Sequence, residues 1–503
     1  MKKLAGLFLL IVTIGALSLL PQDVWNAVRE ARRSATASAS EYLGIYEKDA
    51  ATGNAAAQFE LGNRYANGDG LPTDAAKALN WWQKAATQGH AGAQYSVGLA
   101  YHLGEGTPSD NAKAVDWLQK AAVQNNPDAQ NVLGEIYSRD MSVPNDATKA
   151  VEWYLKAATQ GHSRAQAHLG DLYHLGEGVS QDDAKAVEWW QKAAEWGDVF
   201  AQYNLGTAYL NGEGVPKDDA KAWGWIRKAA EQGHGEAQAL VGEMYFLGKG
   251  VPKDAAKGAN WYRKAAENGH VIAQYMLGRQ YDLGDGVPKD MSKAVEWYQK
   301  AADQGLSIAQ YTFGLKYYRG EGVPKDAAKA AEWWIKAAVQ ENLDAEYNLG
   351  TVYGKGEGVP KDEAKALEFY TKAATQGHLK AQSRLGYMYH QGEGAPKNAA
   401  KAVEWYQKAA AQGSTQIQNN LGTMYSKGEG VPQDNVLAYA WFNLAAIGGD
   451  TNDVQNRELA ESHLSKKELA EAQRMSAGWK KGEVLAREVS AGIESTAQTK
   501  HYK

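Results

Sequence analysis

The chain contains no cysteine. That excludes disulfides, thiolate metal sites, iron–sulfur clusters, a cysteine nucleophile and a lipid-modified N-terminal cysteine. It does not fix the compartment, because an exported protein can avoid thiols as readily as it oxidises them. An excess of basic charge is also missing: 54 Lys and Arg stand against 59 Asp and Glu, a formal net charge of −5. The electrostatic footprint of a nucleic-acid binder is therefore absent, and no nucleic-acid partner is expected. Phenylalanine is scarce, 7 residues against 17 Trp and 27 Tyr. Such an imbalance points to one aromatic position used many times. Long apolar runs are lacking except for one, the 17 uncharged residues from Leu4 to Leu20. Lys2 and Lys3 precede that run, and Pro21-Gln22-Asp23 ends it.

The run has two readings. Ala16-Leu17-Ser18 supplies the small-x-small exit of a cleaved signal peptide, with cleavage near Ser18. Its length also reaches the lower limit of a membrane-spanning helix. The first predicts export to the periplasm or beyond. The second predicts an inner-membrane anchor, with the membrane touched only through this segment. No Asn-x-Ser/Thr acceptor occurs, and His501-Tyr502-Lys503 is no retention signal; both favour a bacterial source. Apolar residues at 44% and charged residues at 22% place the remainder among folded proteins rather than disordered ones.

The chain aligns on itself with a period of 36 residues. Eleven units begin at Ala57, Ala93, Ala129, Ala165, Ala201, Ala237, Ala273, Ala309, Ala345, Ala381 and Ile417 and fill residues 57–452. Such a period is the signature of stacked supersecondary units. Within a unit such as residues 201–236, Ala201, Leu205 and Tyr209 share one helical face. The sixth position is always Gly and the ninth always Tyr. A mid-helix Gly such as Gly206 costs about 1 kcal/mol against Ala, which close helix–helix approach offsets. Gly212-Glu213-Gly214-Val215-Pro216 then breaks the helix. Lys217-Asp218 opens a second helix, whose Ala222, Trp225 and Ala229 form an apolar stripe predicted to be core. The Trp position recurs from Trp81 to Trp441, with Phe369 the exception. Gly233 ends the helix in a left-handed cap; Asn125 and Glu341 depart from Gly at this place. A helix pair of this size buries its apolar face only by stacking on its neighbours.

The motifs A-Q-x-x-L-G-x-x-Y, G-x-G-V-P-x-D and K-A-x-x-W-x-x-K-A-A-x-x-G closely resemble the Sel1-like repeat, a relative in form of the tetratricopeptide repeat. The resemblance implies an all-α, right-handed superhelical α/α solenoid. It also implies a scaffold for protein–protein contacts, frequently exported in bacteria and engaged with host or envelope proteins.

The organisation expected is a signal peptide or anchor over 1–20, then a linker and capping helix over 21–56. The array follows over 57–452, with capping helices and a flexible tail over 453–503. Tyr46, Ala50, Ala51 and Gly53 match a second helix without its first. Thr451–His463 reads as a helix. Ser465-Lys466-Lys467-Glu468 is a capping box opening another, with Leu469, Ala472 and Met475 on one face and fraying from about Val489.

Chemistry is harder to find. His90, His162, His234, His270 and His378 follow the helix-terminal Gly of separate units. At one per unit they lie too far apart to share a metal, and are turn residues. His102, His174 and His390 fall in non-adjacent units. No metal site and no cofactor is expected. The Gly-x-Gly loops lack phosphate-loop spacing. Ser109-Asp110-Asn111 matches one motif of the penicillin-recognising enzymes, but no Ser-x-x-Lys and no Lys-Thr-Gly accompanies it. A non-enzymatic protein is expected, with a penicillin-binding hydrolase as the remote alternative.

Positions that vary between units are candidates for binding a partner. The fourth, seventh and eleventh positions share the first-helix face expected to line the concave groove. At the seventh, Leu99, Leu315 and Tyr387 are apolar where solvent is expected. Glu135, Asp171 and Glu243 suggest an acidic stretch near units 3–6 suited to a basic segment, and Arg279 holds the same position in unit 7. Leu103, Leu175, Leu247 and Leu283 occupy the eleventh position. A protein or peptide partner is expected in this groove, with the chain itself a monomer. Ser138-Arg139-Asp140-Met141-Ser142 replaces both loop glycines of the third unit, either as a bend, as a binding loop or by drift.

Overall fold

The computed structural model describes residues 47–139 and 146–487. The N-terminal apolar run, the tail beyond Arg487 and most of the irregular third loop lie outside the described residues. All regular structure among the described residues is helical. The chain divides into two compact units, one up to Lys253 and one from Asp254 onward. Each is a stack of antiparallel helix pairs, an α/α solenoid in architecture.

Repeat 5 shows how the sequence builds a pair. Its first helix runs Val199–Asn211, its second Asp219–Glu231. Asp198 caps the first by accepting from the Ala201 amide at 2.9 Å. Gly212 closes that helix with φ 80°, the left-handed conformation that a Cβ opposes. Asp218 caps the second helix, and its own amide donates to the Tyr209 carbonyl at 2.9 Å. The invariant Tyr thus fixes the loop through its backbone. At the helix-terminal cap position, Asn125 and Glu341 both hold positive φ, 63° and 58°. The polar Asn adopts this conformation more readily than Glu.

The mid-helix Gly permits the expected close approach. A Cβ on Gly62 would sit 2.5 Å from the Trp82 ring, and one on Gly386 would sit 2.5 Å from the Tyr406 ring. The second loop Gly does something the sequence did not disclose. A Cβ on Gly322 would meet the Met291 carbonyl at 2.6 Å, and one on Gly394 the Glu363 carbonyl at 2.5 Å. Each is the first residue of the preceding repeat's second helix, so this glycine sets how closely repeats stack.

Ala222 and Ala229 of the expected stripe are fully buried, but the place expected for the Trp belongs to the residue after it. Trp225 is half-buried, while Ile226 beside it is fully buried. The same holds for Trp189 against Trp190 and Trp333 against Trp334; Trp441 in the last repeat is the fully buried exception. The half-buried Trp packs its edge on the preceding core, as Trp153 does on the cluster of Leu118, Leu133 and Ile136. Its outer face is covered by the Lys three residues on, with Lys228 Nζ 3.8 Å from the Trp225 ring centroid and Lys336 Nζ 3.7 Å from that of Trp333. This cation–π pair explains the W-x-x-K spacing, with an exposed pair worth about 0.5–1 kcal/mol.

The ends are capped. Residues 47–51 are helical, and Ala50 is buried against Ala57 and Leu61. At the other end helices Thr451–Glu461 and Lys466–Gly478 close the last core, the second opened by the Ser465–Glu468 capping box. Ala472 is fully buried there, with Leu469 and Met475 packed beside it.

Candidate functional site: the first-helix face

Consecutive first helices lie side by side within each unit. Asn204 of repeat 5 donates to Asp171 of repeat 4 at 2.8 Å, joining position four of one repeat to position seven of the previous one. In the second unit Lys316 of repeat 8 pairs with Asp282 of repeat 7 at 2.7 Å. The first contact places the fourth and seventh positions on one face, and the eleventh follows the seventh by one helical turn.

The seventh position is not simply variable. It faces the buried second-helix residue 19 positions on and matches its chemistry. Asn63 accepts from Trp82 Nε1 at 2.9 Å, Asp171 accepts from Trp190 Nε1 at 2.9 Å, and Thr351 lies 3.0 Å from the Tyr370 hydroxyl. Leu99 packs toward the cluster that contains Leu118, and Leu315 toward the one that contains Trp334. Glu135 is engaged as well. It accepts from Asn131 at 3.1 Å, with Arg164 and His168 of the next repeat each 3.5 Å away. The His168 imidazole, foremost, and then Asn131 hold its carboxyl below the usual range against the effect of burial. Glu135 and Asp171 are thus already committed to neighbours. Glu243, Arg279 and Tyr387 are the exposed members of the set. The leucines of the eleventh position are also exposed: Leu103, Leu175, Leu247 and Leu283 are each 55–61% accessible.

The face carries one recess in the second unit, about 160 Å³, between the first helices of repeats 8 and 9, Ser307–Arg319 and Leu343–Lys355. Leu315, Trp334 and Val352 give it an apolar lining, Asn348 and Thr351 a polar wall, and Tyr318 and Arg319 complete it.

The histidines act locally. His90, His162, His234, His270 and His378 each accept through Nδ1 from the backbone amide three residues on, at 3.1–3.2 Å. They are helix N-caps. His102 and His174 pair with Asn111 and Asp183 of the same repeat's second helix at 2.7 and 2.8 Å, and His390 lies 3.2 Å from Glu429. No group of three or more potential metal ligands occurs among the described residues. In Ser109-Asp110-Asn111, Asp110 caps a helix, Ser109 donates to the His102 carbonyl and Asn111 meets His102. All three side chains serve the loop.

The sequence profile of the Sel1 repeat matches eleven times, from residues 55–90 through to 417–450, and so covers most of the chain. The chain belongs to the Sel1 repeat family. Among solved structures it is similar to c5321, described as a protective antigen present in uropathogenic Escherichia coli strains displaying an SLR fold. The two are 37% identical with a TM-score of 0.75, over 92% of this chain and 99% of that one. A Sel1 repeat protein from Oxalobacter formigenes is 36% identical over 60% of this chain and 88% of its own, with a TM-score of 0.51. A search of curated proteins finds no match. As a Sel1 array, the chain has a scaffold of the kind that serves protein–protein interaction.

One feature escaped the sequence argument: the Gln of the A-Q motif. In repeat 7, buried Gln274 donates through Nε2 to the Ala266 carbonyl of repeat 6 at 3.1 Å. Its Oε1 accepts from Gln304 at 2.7 Å, and Gln304 also donates to the Gly269 carbonyl at 3.1 Å. The Gln–Gln bond recurs in repeats 1, 2, 3, 5, 8 and 10. The signal was present as two glutamines 30 residues apart, but pairing them required the fold.

Proposed function

We propose that this chain is a non-catalytic scaffold, exported from the cytoplasm, that holds a partner protein along its first-helix face. The observation that carries the proposal is the row of exposed leucines at the eleventh position. Leu103, Leu175 and Leu247 recur on one face of the first unit, more than half accessible, beside Glu243. These leucines return at alternate repeats, with Arg139 and Asn211 at the same position between them, a spacing suited to an elongated partner that anchors at intervals. The exposed carboxylate of Glu243 favours a partner segment that carries a basic residue beside its apolar ones. Export rests on the N-terminal run, and the similar E. coli protein, a protective antigen, supports an extracytoplasmic place. A retained anchor would make the same face a periplasmic docking site for an envelope complex.

The test is crosslinking in intact cells of the native host, with wild type beside the double variant Leu175→Lys, Leu247→Lys. Both positions are exposed, so the variant should fold. A crosslinked protein lost from the variant supports the proposal; a variant that keeps every crosslinked protein refutes it. N-terminal sequencing of the mature chain decides export with cleavage against the anchor.

A further inference from the structure

We propose that the recess between the first helices of repeats 8 and 9 is a specificity pocket. It takes one apolar side chain of an extended acidic segment, with Arg319 binding a carboxylate next to that side chain. This rests on the reading of the first-helix face as the partner-binding surface and names what its second unit selects.

The recess exists because the seventh position departs from its polar pattern. In repeat 4 Asp171 reaches both Trp190 and Asn204 and ties adjacent first helices together. In repeat 8 Leu315 stands there and bonds neither. Trp334 instead donates to the Tyr311 carbonyl at 3.1 Å, and the space beside it is left to Leu315, Val352 and Thr351. At about 30 Å³ per water, 160 Å³ is roughly five waters, the size of one large apolar side chain. The Thr351 hydroxyl is already occupied with the Tyr347 carbonyl and Tyr370, and the Asn348 side chain hydrogen-bonds Tyr311, so the lining offers a guest few free polar groups. The guest is therefore apolar.

The charge beside the recess leaves one cation loosely held. Arg319 is 58% accessible, and its one ion pair among the described residues, with Glu321, is long at 3.8 Å. Glu321 is held by Lys316 at 2.8 Å, and Lys316 also meets Asp282 at 2.7 Å. Glu357 takes the Tyr318 hydroxyl and lies 3.6 Å from Lys355. Lys325 lies over the Tyr318 ring. Lys316, Arg319, Lys325 and Lys355 are matched in number by Asp282, Glu321, Glu357 and Asp344, the last acting on Tyr311 together with Arg319. Exposed Arg279, one repeat away on the same face, tips the balance to positive. Asp282, Glu321 and Glu357 each have an ammonium or hydroxyl partner closer than Arg319, which leaves this guanidinium with one long ion pair at the rim. Guanidinium binds carboxylate with two parallel donors, so a carboxylate adjacent to the buried side chain is the matching group.

The experiment uses the full mature chain and a fluorescein-labelled probe, a nine-residue peptide of glutamates and glycines with one central leucine. Two controls replace that leucine by serine, or the glutamates by lysines. Fluorescence anisotropy should show the probe bound at least tenfold more tightly than either control. Arg319→Glu, at an exposed position, should weaken it at least tenfold while the unfolding midpoint stays put. Thr351→Phe, which fills the recess, should do the same to the leucine probe and leave the serine control unchanged. Equal binding of leucine and serine peptides, no response to Arg319→Glu, or no binding at all overturns the proposal. A benzophenone in place of the leucine separates the two levels of the argument. Crosslinks to the recess support it. Crosslinks elsewhere on the first-helix face overturn the pocket and keep the face. Crosslinks confined to the second helices overturn both.

Discussion

The seam beneath repeat 7 and the seams beneath repeats 4 and 9 are built to one plan and differ in one side chain each. At repeat 7 the plan is complete: Gln274 gives a hydrogen bond to repeat 6 and receives one from Gln304. At repeat 4 the second glutamine is Trp196, 76% accessible, and buried Gln166 Oε1 has no hydrogen-bond partner. At repeat 9 the first glutamine is Glu346, 3% accessible, with Oε2 likewise unpartnered. A carboxylate cannot donate to the Ala338 carbonyl that occupies the acceptor's place. The array therefore supplies its own control. A buried acceptor without a donor costs about 1–3 kcal/mol, so both irregular seams are weak points beside the complete ones.

The comparison presumes that each repeat's own core is a separate and larger contribution. Trp334→Ala removes a fully buried ring and should destabilise by about 3–5 kcal/mol. Trp333→Ala removes a half-buried ring and one cation–π contact and should cost clearly less. Denaturant midpoints of the two single variants check this, and equal losses would return the core to the tryptophan row that the spacing first suggested. Next in size is the complete seam. Gln274→Leu strands the Ala266 carbonyl and a donor of Gln304 and should cost about 2–3 kcal/mol. Glu346→Leu, at the same position in repeat 9, should be neutral or stabilising. Matching losses at the two positions would mean that the ladder contributes nothing specific.

Glu346 also makes a pH argument. Burial, foremost, raises its carboxyl above the ordinary range, with Glu341 adding to the rise and Lys372 opposing it. A folded-state pKa above the unfolded one means that the native chain binds the proton more tightly, so the penalty appears as pH rises through the folded value. Below the ordinary carboxyl pKa of about 4.3 the penalty is absent, because the group is protonated in both states. Glu346→Gln should therefore stabilise the chain by about 1–2 kcal/mol at pH 8 and progressively less toward pH 4. A gain independent of pH would show that packing, not ionisation, distinguishes this seam.

How much of this the sequence disclosed depends on whether the constraint was local. Helix order, Gly at the close approach and the Asp caps all follow from one repeat. The tryptophan row was misassigned because Trp225 and Ile226 are neighbours on one amphipathic helix, and spacing alone does not say which faces a neighbour's core. The Lys three residues on was the missed clue, since a ring covered by an ammonium lies at the surface. The seventh position was legible as variable, yet its variation in Asn63, Asp171 and Thr351 follows a partner 19 residues away. Its exposed members, Glu243, Arg279 and Tyr387, are the ones that also reach solvent. The recess at Leu315 needs side chains from two repeats and three helices, and no periodicity reveals it.

The smallest expected effect is the one that tests the comparison most narrowly. Trp196→Gln restores at repeat 4 the residue that every complete seam carries. The new amide should donate to Gln166 Oε1 and to the Gly161 carbonyl, as Gln232 does to Gln202 and Gly197 one repeat on. The native indole is mostly in water, so its removal forfeits little buried area. The net change should be a gain of about 0.5–1.5 kcal/mol, the worth of a typical hydrogen bond. Hydrogen exchange of the amides at the start of Ser163–Leu175 should slow in the variant, and those of repeat 8 should not change. If stability falls instead, Trp196 holds the seam through contacts that the ladder does not describe, and repeat 4 is a second kind of junction. If stability rises, this array has kept an exposed tryptophan at a measurable cost, which is the pattern expected where function rather than folding selects the residue.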